Sequence, residues 1–221
     1  MLKADFHMHT EYSMDCEMKL EDIIQRCLKT GLDCVTISDH GTVEGALKMR
    51  ELAPFKVIVA EEILTPNGEI LGFFLEETIP SGIAIDEAIL QIKAQGGAVG
   101  LPHPFDPFRG LTLSSEEIEA LADYIDFVEV FNARSPINST ADKALDFAER
   151  HNLPGTAGSD SHILREIGRT YIEMPDFDTI EEFLEALKYG RIYQHKASLL
   201  VHLSSTLIKL KRKLRPPDNP Q

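Results

Sequence analysis

The sequence predicts an α/β barrel, and two observations support that fold class. Short apolar runs alternate with helical patterns about seven times along the chain, and strands separated by helices form a parallel sheet. Histidine and aspartate residues directly follow at least four of these runs. The carboxyl ends of all strands meet around one rim of a barrel, whereas an open doubly wound sheet spreads them along an edge. The repeated position of these polar residues therefore favours the barrel.

Apolar runs of strand length predict the buried strands. Continuous apolar runs are typical of strands that are covered on both faces, as in a barrel surrounded by helices. A strand-like run also precedes His7 at the N-terminus. The other predicted strands comprise residues 34–37, 56–60, 69–75, 98–101 and 125–131.

Four helices are predicted from apolar residues that recur at intervals of three and four. The first ends at Gly31, a residue suited to the left-handed conformation after a helix. Ser114 and Glu117 form a capping box before the second, and Asp178 with Glu181 caps the fourth, which ends near Gly190. The apolar positions are Leu20, Ile23, Ile24, Cys27 and Leu28; Ile118 and Leu121; Ala141, Ala144, Leu145 and Ala148; and Ile180, Phe183, Leu184 and Leu187.

Composition narrows the function classes. Apolar residues make up 43% of the 221 residues, which is typical of a globular chain. The formal net charge of −14 disfavours nucleic-acid binding over most of the surface. No apolar run approaches the ~20 residues of a membrane span, and no secretory signal is evident. The three cysteines include no CxxC pair, which argues against a thiolate zinc site and for a reducing, cytoplasmic location.

The chain is predicted to form one barrel domain over residues 1–198, followed by a C-terminal segment over residues 199–221. Leucines at helical spacing predict a helix over residues 199–210 that packs on the barrel. The basic residues beyond it are predicted to form a solvated tail, with a docking element as the less favoured alternative.

The histidines at the strand ends point to a metal site. His7 and His9 lie two apart in extended chain, so both imidazoles face the same side and can reach one ion. Asp160 and His162 repeat this arrangement, and His40 and His103 follow two further strands. Imidazole and carboxylate ligands without thiolate suit Zn²⁺, Mn²⁺ or Fe²⁺. The ligands outnumber one tetrahedral site, so two or three divalent ions are expected.

A cluster of ions requires a bridging carboxylate. The strand that ends in Val59-Ala60 continues into Glu61 and Glu62, which lie on opposite faces. One of these carboxylates is therefore expected to face inward and the other outward.

Five motifs in order, DFHMHTEYSMD, TISDHGT, VAEEILT, GLPHPFDP and AGSDSH, resemble those of the PHP (polymerase and histidinol phosphatase) family of metal-dependent phosphoesterases. The resemblance spans residues 5 to 162. It implies a distorted (β/α)7 barrel with a di- or trinuclear metal site at the carboxyl ends of the strands.

The resemblance also implies residue roles. Glu62 matches the bridging glutamate, because Ala60 occupies the small-residue position two places before it. Many members carry a histidine where this chain has Glu69, so Glu69 either substitutes as a ligand or leaves one ion with a partner fewer. We interpret His40 and Asp160 as catalytic residues as well as ligands. The full predicted ligand set is His7, His9, Asp15, His40, Glu62, Glu69, His103, Asp160 and His162.

Two further aspartates, Asp5 and Asp39, flank ligand positions. Each could hold an imidazole N–H and fix its tautomer, or hydrogen-bond to loop backbone. The sequence leaves both alternatives open.

The predicted activity is hydrolysis of a small phosphomonoester, nucleotide-like or histidinol phosphate-like, by a metal-activated water. Arg109 and Arg134 follow strand ends and are predicted to bind the phosphate, with surface ion pairs as the alternative and Arg165 and Arg169 as weaker candidates. A phosphodiesterase or exonuclease acting on short oligonucleotides, and a non-catalytic metal-stabilised module, remain as alternatives. The expected partner is a small phosphorylated substrate, with no membrane or nucleic acid. The oligomeric state is left open.

Overall fold

The computed structural model describes residues 1–197 of the protein. The predicted boundary at residue 198 and the predicted helix and basic tail lie outside the described residues.

Within residues 1–197, the strands form one nine-stranded sheet that is nearly closed into a barrel. Its order is β7-β6-β5-β4-β3-β2-β1-β8-β9. The barrel closes where the segment after β7 returns to β1: the Asp160 N–H donates to the His7 carbonyl at 2.7 Å, and Met8 forms a bridge with Ser161. The predicted barrel is confirmed. The strands are β1 (Leu2–Met8), β2 (Cys34–His40), β3 (Lys56–Thr65), β4 (Gly68–Phe73), β5 (Ala98–Leu101), β6 (Phe127–Asn132), β7 (Gly155–Gly158), β8 (Tyr171–Met174) and β9 (Arg191–Tyr193).

The helices largely follow the predicted apolar spacing. Gly31 ends the first helix with φ of 68°, and Ser114 forms the predicted capping box with Glu117. The predicted cap of the last helix is wrong, because the Thr179 hydroxyl, and not Asp178, accepts the Glu182 N–H. The described helices are α1 (Leu20–Thr30), α2 (Glu44–Leu52), α3 (Ile85–Ala94), α4 (Ser115–Leu121), α5 (Asn138–Arg150) and α6 (Ile180–Leu187). No helix in this part of the chain is both long and apolar enough to cross a membrane.

One strand departs from the parallel pattern that the alternation predicts. β4 runs antiparallel to both β3 and β5, because β3 and β4 are joined by a tight hairpin and not by a helix. The turn between them is Pro66-Asn67, two residue types typical of turns, and Gly68 at the start of β4 has φ of 122°. The reversal places the first residues of β4 at the rim where β3 and β5 end.

Phenylalanine rings fill the barrel beneath that rim. Phe73 of β4 lies 4.6 Å from Phe127 of β6 and 6.5 Å from Phe6 of β1, between ring centroids, although no two of these strands are neighbours in the sheet. Phe183 of α6 packs edge-on against Phe6 at 5.4 Å. These contacts are possible because the sheet curls around them. A second apolar layer, which includes Ile23, lies between the sheet and the helices.

Candidate metal centre

A bulge in β1 sets the position of the first two histidines. The pairing of β1 with β2 shifts register between Asp5 and Met8, so that His7 and His9 lie above the phenylalanine core. Both histidines are fully buried, and their Nε2 atoms lie 3.2 Å apart. Two imidazole nitrogens therefore converge on one point, as the spacing predicts.

Glu62 lies at the centre of the histidines. Its Oε2 atom is 3.3 Å from His7 Nε2, 3.4 Å from His9 Nε2 and 3.5 Å from His40 Nδ1. Its other oxygen, Oε1, is 3.0 Å from His103 Nε2. One carboxylate thus contacts four imidazoles with its two oxygens, which is the geometry that a bridging ligand requires.

A second group of donors lies beside His9. Asp15 Oδ2 is 3.0 Å from His162 Nε2 and 3.6 Å from His40 Nε2. Asp160 Oδ1 is 3.4 Å from His9 Nε2 and 3.5 Å from His162 Nδ1. His9 and His40 therefore connect this group to the one around Glu62.

Glu69 also reaches the cluster. Because β4 is antiparallel, its second residue stands at the rim, and Glu69 Oε2 lies 3.4 Å from His103 Nε2. Glu69, which stands where many family members have a histidine, therefore lies next to another candidate ligand.

Four sets of side chains have the geometry to hold an ion, with one ligand atom from each residue lying within 4.8 Å of the others. Every set includes a carboxylate, and the donors are oxygen and nitrogen without sulfur, which fits Zn²⁺, Mn²⁺ or Fe²⁺. The sets share members, so they describe one cluster. They are His7, His9 and Glu62; His9, Asp15 and His40; His9, Asp160 and His162; and His40, Glu62 and Glu69.

The electrostatics of the cluster favour positive charge. Burial alone raises the pKa of Glu62, but His7 and His40 outweigh it and hold that pKa well below its ordinary value. Burial lowers the pKa of His7, yet the Glu62 and Glu129 carboxylates raise it well above the usual range. Carboxylates that stay ionised beside imidazoles form a site prepared for cations.

Glu129, which sequence reasoning missed, is a buried carboxylate beside the candidate ligands. One of its oxygens lies 3.1 Å from His7 Nδ1, and the other accepts the His103 N–H at 2.9 Å and an Asn132 side-chain N–H at 3.0 Å. A carboxylate behind a ligand imidazole fixes its tautomer and ring orientation. The available signal was the single charged residue inside the apolar run of β6.

Gly158 makes the contact between Glu129 and His7 possible. A Cβ atom at this position would lie 2.2 Å from the His7 Cβ and 2.8 Å from Glu129 Oε1. Only a residue without a side chain lets β7 pass so close to both.

Three other buried carboxylates bind backbone or hydroxyl groups and not imidazoles. Asp5 accepts the Ser159 N–H at 2.9 Å, and Asp39 accepts the Thr10 N–H and hydroxyl at 2.6 Å each. Glu61 faces away from Glu62 and accepts the Ile79 N–H at 2.8 Å. The backbone alternative therefore describes Asp5 and Asp39, and the expected opposition of the two glutamates is observed.

Two candidate ligands adopt unusual backbone conformations. His103 and Asp160 have φ of 28° and 49°, in a region that non-glycine residues rarely enter. Such conformations persist where the surrounding structure imposes them, and they cluster at functional sites.

Arg109 and Arg134 both point at Asp160. Arg109 donates to Asp160 Oδ2 and, at 3.2 Å, to Asn132 Oδ1. Arg134 Nη1 lies 3.5 Å from Asp160 Oδ1 and 2.7 Å from His162 Nδ1. Both arginines are thus paired with a buried carboxylate, and 24% of the Arg109 side chain and 5% of the Arg134 side chain is exposed.

A cavity of about 840 Å³ opens above the cluster. Its walls include His40, Glu62, Glu69, Asp160 and both arginines. The weaker candidates Arg165 and Arg169 are absent from its lining, and Arg169 contacts His195 at 3.1 Å.

Comparison with known proteins assigns the family. The family model of the PHP domain matches residues 5–76, and that of the PHP-associated family matches residues 138–192. An uncharacterized protein of Methanocaldococcus jannaschii is 34% identical over 220 residues, covering 94% of this chain and 86% of its own length. The chain belongs to the PHP family.

Solved structures show the same fold at low identity. A two-domain protein of Bacteroides vulgatus, containing a predicted PHP-like metal-dependent phosphoesterase, superposes with a TM-score of 0.71 at 21% identity over 88% of this chain. This chain spans 65% of that protein's length. An amidohydrolase of Chromobacterium violaceum with bound sulfate and no metal superposes with a TM-score of 0.62 at 16% identity, covering 86% of this chain and 97% of its own.

Proposed function

We propose that the protein is a metal-dependent phosphoesterase that hydrolyses a small phosphomonoester. The observation that carries this proposal is the convergence of two arginines and a cluster of candidate metal ligands on Asp160, at the base of one cavity. Cations and guanidinium groups together match the charge and geometry of a phosphate.

The nine predicted ligands form the cation site of this proposal. Divalent ions held there supply an activated water and positive charge for the phosphoryl oxygens. Two or three ions suit the overlapping sets of ligands, two of which share the Glu62 carboxylate. Glu69 contributes an oxygen where the family pattern has an imidazole.

His40 and Asp160 are the proposed catalytic residues, because each faces both the ligand cluster and the cavity. Asp160 presents Oδ1 to His9 and Oδ2 to Arg109, so it joins the ion site to the phosphate-binding groups. Burial would raise the pKa of Asp160, but Arg109 and Arg134 hold it well below its ordinary value, so the carboxylate stays ionised.

Arg109 and Arg134 are the proposed phosphate ligands. Both pair with the buried Asp160 carboxylate and line the cavity, where a phosphate above Asp160 would need hydrogen-bond donors. A guanidinium group offers several N–H donors, so it can contact a carboxylate and a phosphate together.

The cavity favours a small substrate over a polymer. Its volume of about 840 Å³ falls within the range of sites for small molecules. The net charge of −14 would repel a polyanion outside the local field of the arginines.

An assay of the metal-replete protein on a panel of phosphomonoesters, phosphodiesters and short oligonucleotides tests the proposal. We expect hydrolysis of monoesters that depends on added Mn²⁺ and exceeds any diesterase activity. Faster cleavage of oligonucleotides would instead indicate the exonuclease alternative. Stoichiometric metal without hydrolysis of any ester would indicate a metal-stabilised module.

A further inference from the structure

The cavity has two chemically different parts. Its base carries the charged groups described above. Its outer wall is formed by the tip of the β3–β4 hairpin and the loops after β5 and β6, and it includes Leu64, Phe108 and Pro136. A phosphate needs only the base, so the apolar wall is available for the remainder of a substrate.

Phe108 is exposed despite its apolar side chain. The residue is 79% exposed. Among the large apolar residues that the structure describes, only Met1 has a larger exposed fraction. It precedes Arg109, which reaches Asp160, so an aromatic ring and a phosphate-binding group are adjacent in one loop.

The loop that carries Phe108 is held in place by hydrogen bonds on both sides. The Phe108 N–H donates to Asp106 Oδ1 at 2.9 Å, and the Gly110 N–H donates to the Asp106 carbonyl at 2.8 Å. The Thr112 N–H donates to the Asn67 carbonyl at 2.9 Å, which joins the loop to the hairpin. Asp106 is itself fixed by the Ser135 hydroxyl at 2.9 Å.

Gly110 allows the turn to close this tightly. A Cβ atom there would lie 2.5 Å from the Asp106 carbonyl oxygen and 2.7 Å from that of Pro104. The backbone beneath Phe108 is therefore fixed, and the ring is presented at the cavity by an ordered support.

We infer that Phe108 determines specificity by stacking on a flat ring in the leaving group of the substrate, so that aryl or heteroaryl monophosphates are preferred. This inference rests on the proposed function, which assigns a phosphate group to the base of the cavity. Aromatic faces bind flat rings by offset stacking, and the interaction tolerates different ring chemistries.

Binding of phosphonates tests the inference independently of hydrolysis. Benzylphosphonate and ethylphosphonate mimic phenyl phosphate and methyl phosphate, but their carbon–phosphorus bond replaces the ester bond. Their dissociation constants would be measured by calorimetry on the full-length, Mn²⁺-loaded protein. The variants are Phe108→Ala, Phe108→Tyr and the control Leu90→Ala, which removes an exposed apolar side chain of α3 outside the lining of the cavity.

We expect the unmodified protein to bind benzylphosphonate about tenfold more tightly than ethylphosphonate, the size of one stacking interaction. Phe108→Ala should abolish that preference without changing the affinity for ethylphosphonate, whereas Phe108→Tyr and Leu90→Ala should retain it. Equal binding of the two phosphonates by the unmodified protein, or an unchanged preference in Phe108→Ala, would overturn the inference.

Hydrolysis of phenyl phosphate and methyl phosphate separates this inference from the proposed function. Preferential binding of benzylphosphonate without hydrolysis of any monoester would refute the proposed function and support the role of Phe108. Monoester hydrolysis with no ring preference in binding would refute the role of Phe108 alone. If neither phosphonate binds and no monoester is hydrolysed, both are overturned.

Discussion

Glu61 and Glu62 are adjacent glutamates on β3 and both are buried, yet they have opposite surroundings. Glu62 contacts four imidazoles, whereas Glu61 accepts one backbone N–H, from Ile79. Burial raises the pKa of Glu61 to about 7, while the imidazoles hold that of Glu62 well below its usual value. The alternation of the strand, and not the type of residue, separates the candidate ligand from the structural carboxylate.

The same division separates the aspartates of the site. Asp15 and Asp160 contact imidazoles, whereas Asp5 and Asp39 bind the chain segments that carry the ligands. We therefore expect the two groups to respond differently to substitution: the first should lose metal, and the second should lose stability.

The largest effect is expected for Glu62. Glu62→Ala should abolish hydrolysis and lower the metal content, because it removes the carboxylate that two of the four ligand sets share. Glu61→Ala is the matched control, which should retain its metal but lose about 1–3 kcal/mol of unfolding free energy, since a buried N–H loses its acceptor. Metal analysis and thermal unfolding of both variants test this comparison, and equal loss of metal in the two would refute it.

For the arginines we expect a large effect on catalytic efficiency and none on metal content. Arg109→Ala and Arg134→Ala should each lower kcat/KM about 100-fold, the effect of removing a donor to developing charge, while the metal remains bound. Arg169→Ala, at a residue outside the lining of the cavity, is the control. Unchanged kinetics in both Arg109→Ala and Arg134→Ala would show that the phosphate binds at a different site from these two arginines.

A smaller effect is expected for Glu129, which supports His7 from behind. Glu129→Gln should weaken metal binding roughly 10- to 100-fold, because the amide no longer polarises the His7 ring. Titration of the apoprotein with Mn²⁺ measures this affinity. An affinity equal to that of the unmodified protein would show that the contact with His7 Nδ1 does not support the ion site.

The smallest effect on metal is expected for Asp39. Asp39→Ala should lower the unfolding free energy by about 1–3 kcal/mol, because the buried Thr10 N–H loses its acceptor. Asp15→Ala, in contrast, should release metal. Chemical denaturation and elemental analysis of the two proteins distinguish these roles, and loss of metal in Asp39→Ala would contradict the division.

Much of the site could be predicted because its signals are local. The spacing of His7 and His9, and the alternation of Glu61 with Glu62, follow from the period of an extended strand. Apolar runs located most of the strands, because strands that are covered on both faces are continuously apolar. Gly31 and Ser114 were identified correctly because helix termini depend on adjacent residues.

Features that depend on contacts between distant segments were not predicted. Glu129 meets His7 across 122 residues, and only the closed sheet with Gly158 brings them together. The bulge in β1 depends on its pairing with β2, which the sequence does not show. The direction of β4 was missed for a different reason, since Pro66, Asn67 and Gly68 are a local turn signal that the alternation of strands and helices obscured.

The central claim is that Glu62 organises one cluster of several ions. Elemental analysis of the full-length protein, purified after metal-replete expression and dialysed, tests it most directly. The arrangement of overlapping ligand sets predicts at least two transition-metal ions per chain. Less than one ion per chain would contradict it.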